Sequence, residues 1–291
     1  MATNTPPAAR AGTITIGGSD TVNRMGFGAM RLTGPGIWGE PEDPAECRRV
    51  LRRAVELGVD FIDTADSYGP EVSERLIAET LHPYPAGLLI ATKGGQVRPG
   101  PGRWVPDGRP EHLRAACEGS LRRLHLDTID LYQFHRPDPK VPYEESVGAL
   151  VRLRDDGKIR MIGVSNVNLE QLEIALRVAG AVSVQNRYNL ADRDSEPVLR
   201  RCEELGLAFL PWGPLGRGEL ARPSSAMQDV ARRHGATPGQ VALAWLLARS
   251  PLMLPIPGTS RVAHLEENVA AAAIVLDSSE VEALETAAAR S

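Results

Sequence analysis

Eight short apolar runs, set apart by intervals of roughly 20–45 residues that hold amphipathic stretches, constrain the fold of this chain more than any other feature. The runs lie near 24–28, 59–63, 87–92, 128–134, 159–164, 182–186, 207–211 and 252–256. Helical periodicity falls between them over 44–57, 71–81, 110–124, 144–156, 168–178, 195–205, 225–234 and 238–249, and again near 261–271 and 278–288. Parallel strands need a crossover of a dozen or more residues, and these intervals supply it. The alternation therefore predicts an α/β fold, a (β/α)8 barrel of the TIM type, and 291 residues is an ordinary size for one.

Local signals support this division. Asp43-Pro44, Arg109-Pro110 and Thr237-Pro238 fit helix starts with Pro at the first position. Gly58, Gly157 and Gly206 fit helix ends just before a strand. The run Leu88-Leu89-Ile90-Ala91 is apolar throughout, as burial on both faces requires. Thr13–Ile16, the turn residues Gly17-Gly18-Ser19-Asp20 and Thr21–Asn23 read as a β-hairpin expected to plug the barrel floor. Gly94 to Arg109 is rich in Gly, Pro and Arg and is expected to be a long loop over the mouth, carrying Trp104. The helices after the eighth run exceed the eightfold count, and 278–288 is expected to pack outside. Residues 1–12, polar and Pro/Ala-rich, are expected to be a disordered tail. Residues 13–291 then form a single domain.

Composition narrows the function classes. A net charge of −4 offers no basic footprint for nucleic acid. No apolar run approaches the roughly 20 residues of a membrane helix, and the N-terminus lacks the apolar core of a secretion signal. Cys47, Cys117 and Cys202 are widely spaced and show no metal-ligand pattern, so free thiols in a reducing cytoplasm and no metal site are expected.

Three of the apolar runs end in ionisable residues: Asp63, with Tyr68 close behind it, then Lys93, then His135. Taken singly, each has an ordinary reading. Asp63 suits a cap, Tyr68 a packing residue and His135 a satisfied core histidine. Lys93 suits the Schiff-base lysine of a barrel lyase. Jointly, at the carboxyl ends of consecutive barrel strands, an acid, a phenol, an ammonium and an imidazole suit proton transfer to a carbonyl oxygen.

The segments Phe61-Ile62-Asp63-Thr64-Ala65-Asp66-Ser67-Tyr68-Gly69, Gly163-Val164-Ser165-Asn166 and Pro257 to Asn268, together with His135, resemble the aldo-keto reductases over about residues 13–285. In overall wording, including Asn23–Met30, Val184–Asn189 and Ile256–Ser260, the chain is most similar to the bacterial pyridoxal reductase (pyridoxine 4-dehydrogenase) branch. The resemblance implies NADPH as cofactor, transfer of its 4-pro-R hydride, and a small-molecule carbonyl substrate. It makes Tyr68 the general acid, with Lys93 lowering the phenol's pKa, Asp63 holding Lys93, and His135 orienting the carbonyl.

It also assigns the cofactor contacts. Ser165, Asn166 and Gln185 would hold the nicotinamide carboxamide, and Trp212 would stack on the ring. Gly213, Pro214, Leu215, Gly216, Arg217 and Gly218 would wrap the pyrophosphate, with Gly28 and Met30 also against the cofactor. Pro257, Gly258 and Thr259 would lie against the cofactor where the segment opens a helix, with Ser260, Arg261 and His264 facing the 2′-phosphate at that helix N-terminus, and Glu267 and Asn268 the adenine. Gly258 and His264 stand where a well-known form of the pattern has Lys and Arg, which leaves Arg261 as the guanidinium for the phosphate. Trp38 and Trp104 are expected at the substrate mouth. The same residues leave open a tailoring ketoreductase acting on a keto-sugar or other ketone, and an NADPH-binding regulatory subunit.

Overall fold

A computed structural model of the chain describes residues 5–216 and 224–288. Its strands are β1 (Thr13–Ile16), β2 (Asp20–Asn23), β3 (Phe27–Gly28), β4 (Phe61–Asp63), β5 (Leu89–Gly94), β6 (Gln96–Gly100), β7 (Arg103–Pro106), β8 (Ile129–Phe134), β9 (Ile159–Ser165), β10 (Ser183–Gln185) and β11 (Ala208–Phe209). The helices are α1 (Pro44–Glu56), α2 (Val72–Leu81), α3 (Pro110–Leu124), α4 (Tyr143–Asp155), α5 (Leu169–Ala179), α6 (Glu196–Leu205), α7 (Ser225–His234), α8 (Pro238–Arg249), α9 (Val262–Ala270) and α10 (Ser278–Ala288). Side-chain caps set several starts: Asp43 accepts from Glu46 N, and Asn168 and Thr237 each form a capping box with a glutamine.

Seven strands pair in parallel in the order β11-β10-β9-β8-β5-β4-β3. The expected eighth run, 252–256, closes the ring without forming a regular strand. On one side, Phe209 N–H donates to the Leu252 carbonyl and Leu254 N–H to the Phe209 carbonyl, both at 2.9 Å. On the other, Gly26 N–H donates to Pro255 at 2.9 Å and Gly28 N–H to Pro257 at 3.4 Å. Prolines 255 and 257 have no N–H to return, so the ladder toward β3 is one-sided. Arg24 reinforces the seam, its guanidinium donating to the Leu247 carbonyl at 2.8 Å and the Met253 carbonyl at 3.1 Å.

Inside the barrel, strand alternation turns each inward stripe from apolar to polar as it climbs. Phe61 gives way to Asp63, Leu89 and Ala91 to Lys93, and Leu131 to Gln133 and then His135. The lower positions form a core with Met161, Ala208, Leu210, Leu254 and Ile256. The β1–β2 hairpin plugs it from below, pairing Ile14 with Val22 and burying Ile14, Ile16 and Val22 in that core. A larger apolar layer fills the space between strands and helices, and α10 packs against α7 outside the barrel.

Two expectations are corrected. The described part of the N-terminal tail is ordered: Pro7–Ala11 form a 3-10 turn, Ala8 is fully buried, and its N–H donates to the Leu57 carbonyl at 3.0 Å. Pro6-Pro7 pre-set the backbone for that turn, and alanine is small enough to pack beneath it. The segment from Gly94 to Arg109 is not a loop but a second β-hairpin, β6–β7, with Gly100 opposite Arg103 and a register shift between Val97 and Gly100. Pro101-Gly102 supplies the tight turn, so the Gly/Pro content that suggests a loop builds a hairpin end instead.

All three cysteines are buried and unpaired, and burial pushes the Cys117 and Cys202 thiols up to about 12. Among the described residues, no helix is long and apolar enough to cross a membrane and no cluster of metal-ligating side chains occurs.

Candidate active site

The four strand-end residues meet at the top of the barrel. Lys93 is fully buried, and its three ammonium protons have three acceptors. These are Asp63 Oδ2 at 2.6 Å, the Thr64 carbonyl at 2.8 Å and Tyr68 Oη at 3.2 Å. The other Asp63 oxygen accepts from Gln133 Nε2 at 2.9 Å and Gln185 Nε2 at 2.8 Å. A buried carboxylate and ammonium held this way are fully partnered, as such a pair must be. Tyr68 Oη accepts from Lys93, which leaves its own proton for another acceptor. The His135 ring lies edge-on to Tyr68 with centroids 5.9 Å apart, and His135 Nδ1 is 3.4 Å from Ser67 Oγ.

Burial disfavours the Lys93 ammonium, but Asp63 and Tyr68 outweigh it and hold its pKa above the ordinary lysine value. A Schiff-base role needs the neutral amine, so the Asp63 contact argues against a lyase. Burial likewise pushes the Tyr68 phenol above its ordinary value; Lys93 pulls it down, and Asp63 pushes it up again. Lys93 thus acts in the expected direction, but burial, aided by Asp63, outweighs it, so the phenol's pKa is not lowered overall. Burial first, then Lys93 and Arg136, hold His135 well below its usual range, so its imidazole is neutral.

Ser165, Asn166 and Trp212 form a chain beside this group. Ser165 Oγ donates to the Gln185 carbonyl at 2.7 Å, and Asn166 Nδ2 donates to the His135 carbonyl at 2.9 Å. Trp212 Nε1 donates to Asn166 Oδ1 at 3.1 Å, and the half-buried indole also has the Arg187 guanidinium 6.0 Å from its ring centroid. Gln185 turns its nitrogen onto Asp63, so only its oxygen side remains for a carboxamide. Gly213 to Gly216 make a tight turn, with Gly216 N–H on the Gly213 carbonyl at 2.9 Å and Pro214 buried. Arg217 and Gly218 lie outside the described residues.

Across the mouth, Gly28 and Gly258 touch through their backbones. A Cβ on Gly258 would lie 2.4 Å from the Gly28 carbonyl oxygen, so no lysine fits there. Met30, Ser260 and Arg261 line a cavity of about 690 Å³ between the 30–37 segment, α1 and α9. The N-terminus of α9, expected to take phosphate, already has an anion, because Val262 N–H donates to Glu46 Oε1 at 2.9 Å. That bond and Arg49 hold the Glu46 carboxyl below its usual value. Thr259 Oγ1 accepts from Arg261 N–H at 3.1 Å. His264 is exposed, Asn268 is buried, and the Glu267 carboxylate accepts from Thr237 Oγ1 at 2.6 Å. Trp104 stands edge-on to Tyr68, with centroids 6.4 Å apart, and Trp38 bridges to Gly69.

Sequence reasoning did not single out Gln133, Ser67, Arg98 or Glu46. Gln133 carries the signal that points to Gln185, an amide inside an apolar strand. The other three become visible only through contacts between distant segments.

Residues 24–289 match the aldo/keto reductase family. The chain is 52% identical over 271 residues to an oxidoreductase of Schizosaccharomyces pombe, covering 93% of this chain and 88% of that protein. It is 45% identical over 260 residues to pyridoxine 4-dehydrogenase of Escherichia coli, covering 87% and 91%. Among solved structures, an aldo-keto reductase from Klebsiella pneumoniae in complex with NADPH superposes with a TM-score of 0.80 at 28% identity, covering 94% of each chain. The strand-end cluster, the plugged barrel and these matches agree, and the chain belongs to the aldo/keto reductase family.

Proposed function

We propose that this protein reduces an aldehyde or ketone to an alcohol with NADPH, and that pyridoxal, reduced at its C4 aldehyde to pyridoxine, is its substrate. The observation that carries the reductase reading is the Tyr68 phenol, 3.2 Å from a buried, charged lysine and facing the mouth beside a neutral imidazole. The pyridoxal reading is supported by the 45% identity to a relative named for pyridoxine 4-dehydrogenation.

NADPH supplies the hydride. Tyr68 gives its proton to the carbonyl oxygen as negative charge develops there. The raised phenol pKa keeps that proton in place at neutral pH, and Lys93 stabilises the phenolate left behind. Neutral His135 donates a hydrogen bond to the same oxygen. Asp63, fixed by Gln133 and Gln185, keeps Lys93 charged. Ser165, Asn166 and Trp212 supply the donors and the aromatic face that suit a nicotinamide, while Ser260 and Arg261 suit a phosphate. The donor set fits the cofactor. The Glu46 carboxylate at α9 and the absence of a cation at Gly258 make the predicted preference for NADPH over NADH a modest one.

The test is NADPH oxidation by the purified protein with pyridoxal, simple aldehydes and keto-sugars. Turnover of pyridoxal above background supports the full reading. Turnover of ketones alone leaves a ketoreductase and removes pyridoxal. No turnover with any carbonyl sinks the enzymatic reading.

A further inference from the structure

The inner face of the β6–β7 hairpin carries a buried cation that the reaction does not use. Arg98 is 8% exposed, although it lies in a Gly/Pro-rich segment at the rim of the barrel. Its guanidinium donates to four carbonyls from three segments: Arg103 at 3.0 Å, Ile37 at 2.8 Å, Gly36 at 3.1 Å and Ser67 at 3.2 Å. Its flat faces meet indoles, with the Trp104 centroid at 3.6 Å and the Trp38 centroid at 5.6 Å. Only a planar fork with several donors satisfies such a set of acceptors, and stacking on indole adds attraction that a lysine forgoes. The other edge of this assembly is the active site, because Trp104 stands edge-on to Tyr68 and Ser67 is within hydrogen-bond reach of His135.

We infer that Arg98 is the positioning residue of the substrate mouth, fixing Trp104 as a rigid wall beside Tyr68 and so favouring planar aromatic aldehydes over small aliphatic ones. The inference rests on the reductase reading for its substrate half. The mechanical half stands on the contacts alone. A wall whose position is set before substrate arrives gains stacking energy without an ordering cost, and a ring large enough to reach it benefits. An aldehyde too small to touch the indole gains nothing.

The experiment compares the wild type with Arg98→Met, which keeps the stem and removes the fork, and with Arg98→Lys, which keeps the charge. KM and kcat are measured for 4-nitrobenzaldehyde and for propanal, NADPH affinity by titration, and melting temperature as a folding control. Trypsin cleavage after the exposed Arg103 is followed by mass spectrometry. For Arg98→Met the expected result is a roughly tenfold rise in KM for the aromatic aldehyde, the size of one lost strong contact. Propanal kinetics and NADPH affinity should hold, and cleavage at Arg103 should accelerate. Arg98→Lys should rescue little of the KM and, as the milder change, serves if the Met variant fails to fold. Equal KM changes for both aldehydes, a parallel loss of NADPH affinity, or full rescue by lysine would overturn the inference. A wild type that reduces neither aldehyde overturns the substrate half of the inference, while the cleavage rates still decide whether Arg98 holds the hairpin.

Discussion

Each end of the barrel carries a β-hairpin, one plugging the floor and one at the rim of the mouth, and the two are built on opposite principles. At the floor, β1–β2 alternates cleanly and drives Ile14, Ile16 and Val22 into the apolar interior. At the mouth, β6–β7 buries a guanidinium instead and leaves Val105 37% exposed. The floor hairpin is held by area removed from water, which is non-directional and tolerant of small shifts. The mouth hairpin is held by directed bonds from one side chain to backbone carbonyls, which specify a position. The difference is one of role: the floor supplies stability, and the mouth supplies geometry.

The largest expected effect tests the mouth. Tyr68→Phe removes the proton donor while keeping the ring, and turnover should fall ~10²–10⁴-fold with melting temperature and NADPH affinity unchanged. Near-normal turnover would show that the proton comes from elsewhere. Lys93→Met would blur the division, because it strands the Asp63 carboxylate in the interior. Denaturant titration should show a loss of ~3–5 kcal/mol together with lost activity. A floor change should do the reverse. Ile16→Ala should cost ~2–5 kcal/mol of stability, with kcat and KM per folded molecule intact. Altered kinetics in that variant would mean the two ends are coupled.

A smaller effect separates the cofactor from both hairpins. Arg261→Ala should weaken NADPH by an amount on the order of 1.5–3 kcal/mol, about 10- to 150-fold, and leave NADH untouched. Equal losses for both cofactors would place Arg261 in the fold instead of at the phosphate. The smallest expected effect is on pH. In the proposed reaction the acid is the protonated phenol, and burial raises its folded pKa, so the proton is present below the ordinary tyrosine range and lost only above it. Reduction should therefore stay level from neutral pH into mild alkali. A fall centred near pH 8 would show a lowered phenol pKa. For His135 the folded pKa is depressed, so the unfolded chain takes up the proton first and stability declines as pH drops through the ordinary histidine value of about 6.5.

Most of the barrel is written in local pattern. The helices fall within a residue or two of their periodic stretches because caps such as Asp43, Asn168 and Thr237 mark their starts. The strand-end residues Asp63, Lys93 and His135 are legible because parallel strands bring their carboxyl ends together. What escaped depends on contacts that no local window contains. Glu46 reaches Val262 across 216 positions, and Arg98 reaches Ile37 across 61. The Tyr68 pKa escaped for a different reason. The sign of the shift depends on how deeply the phenol is buried and how far Asp63 opposes Lys93, and residue identity fixes neither. Gly258 looked like a lost phosphate contact, whereas the seam against Gly28 leaves no room for a side chain.

That seam also governs the order in which the molecule can become whole. The ring is joined between β3, near the start of the chain, and residues 252–257, so Arg24 meets Met253 across 229 positions. During synthesis the ring cannot close until residues 252–257 are made, so any sheet formed earlier is an open one. Its two unpaired edges are β3 and β11, both apolar, and an unpaired apolar edge invites pairing with another chain. A fragment ending between residues 210 and 250 keeps Asp63, Tyr68, Lys93 and His135, yet lacks Leu254 and Ile256 from its interior. Such a fragment has all four strand-end side chains, yet its open edges are expected to make it prone to aggregate.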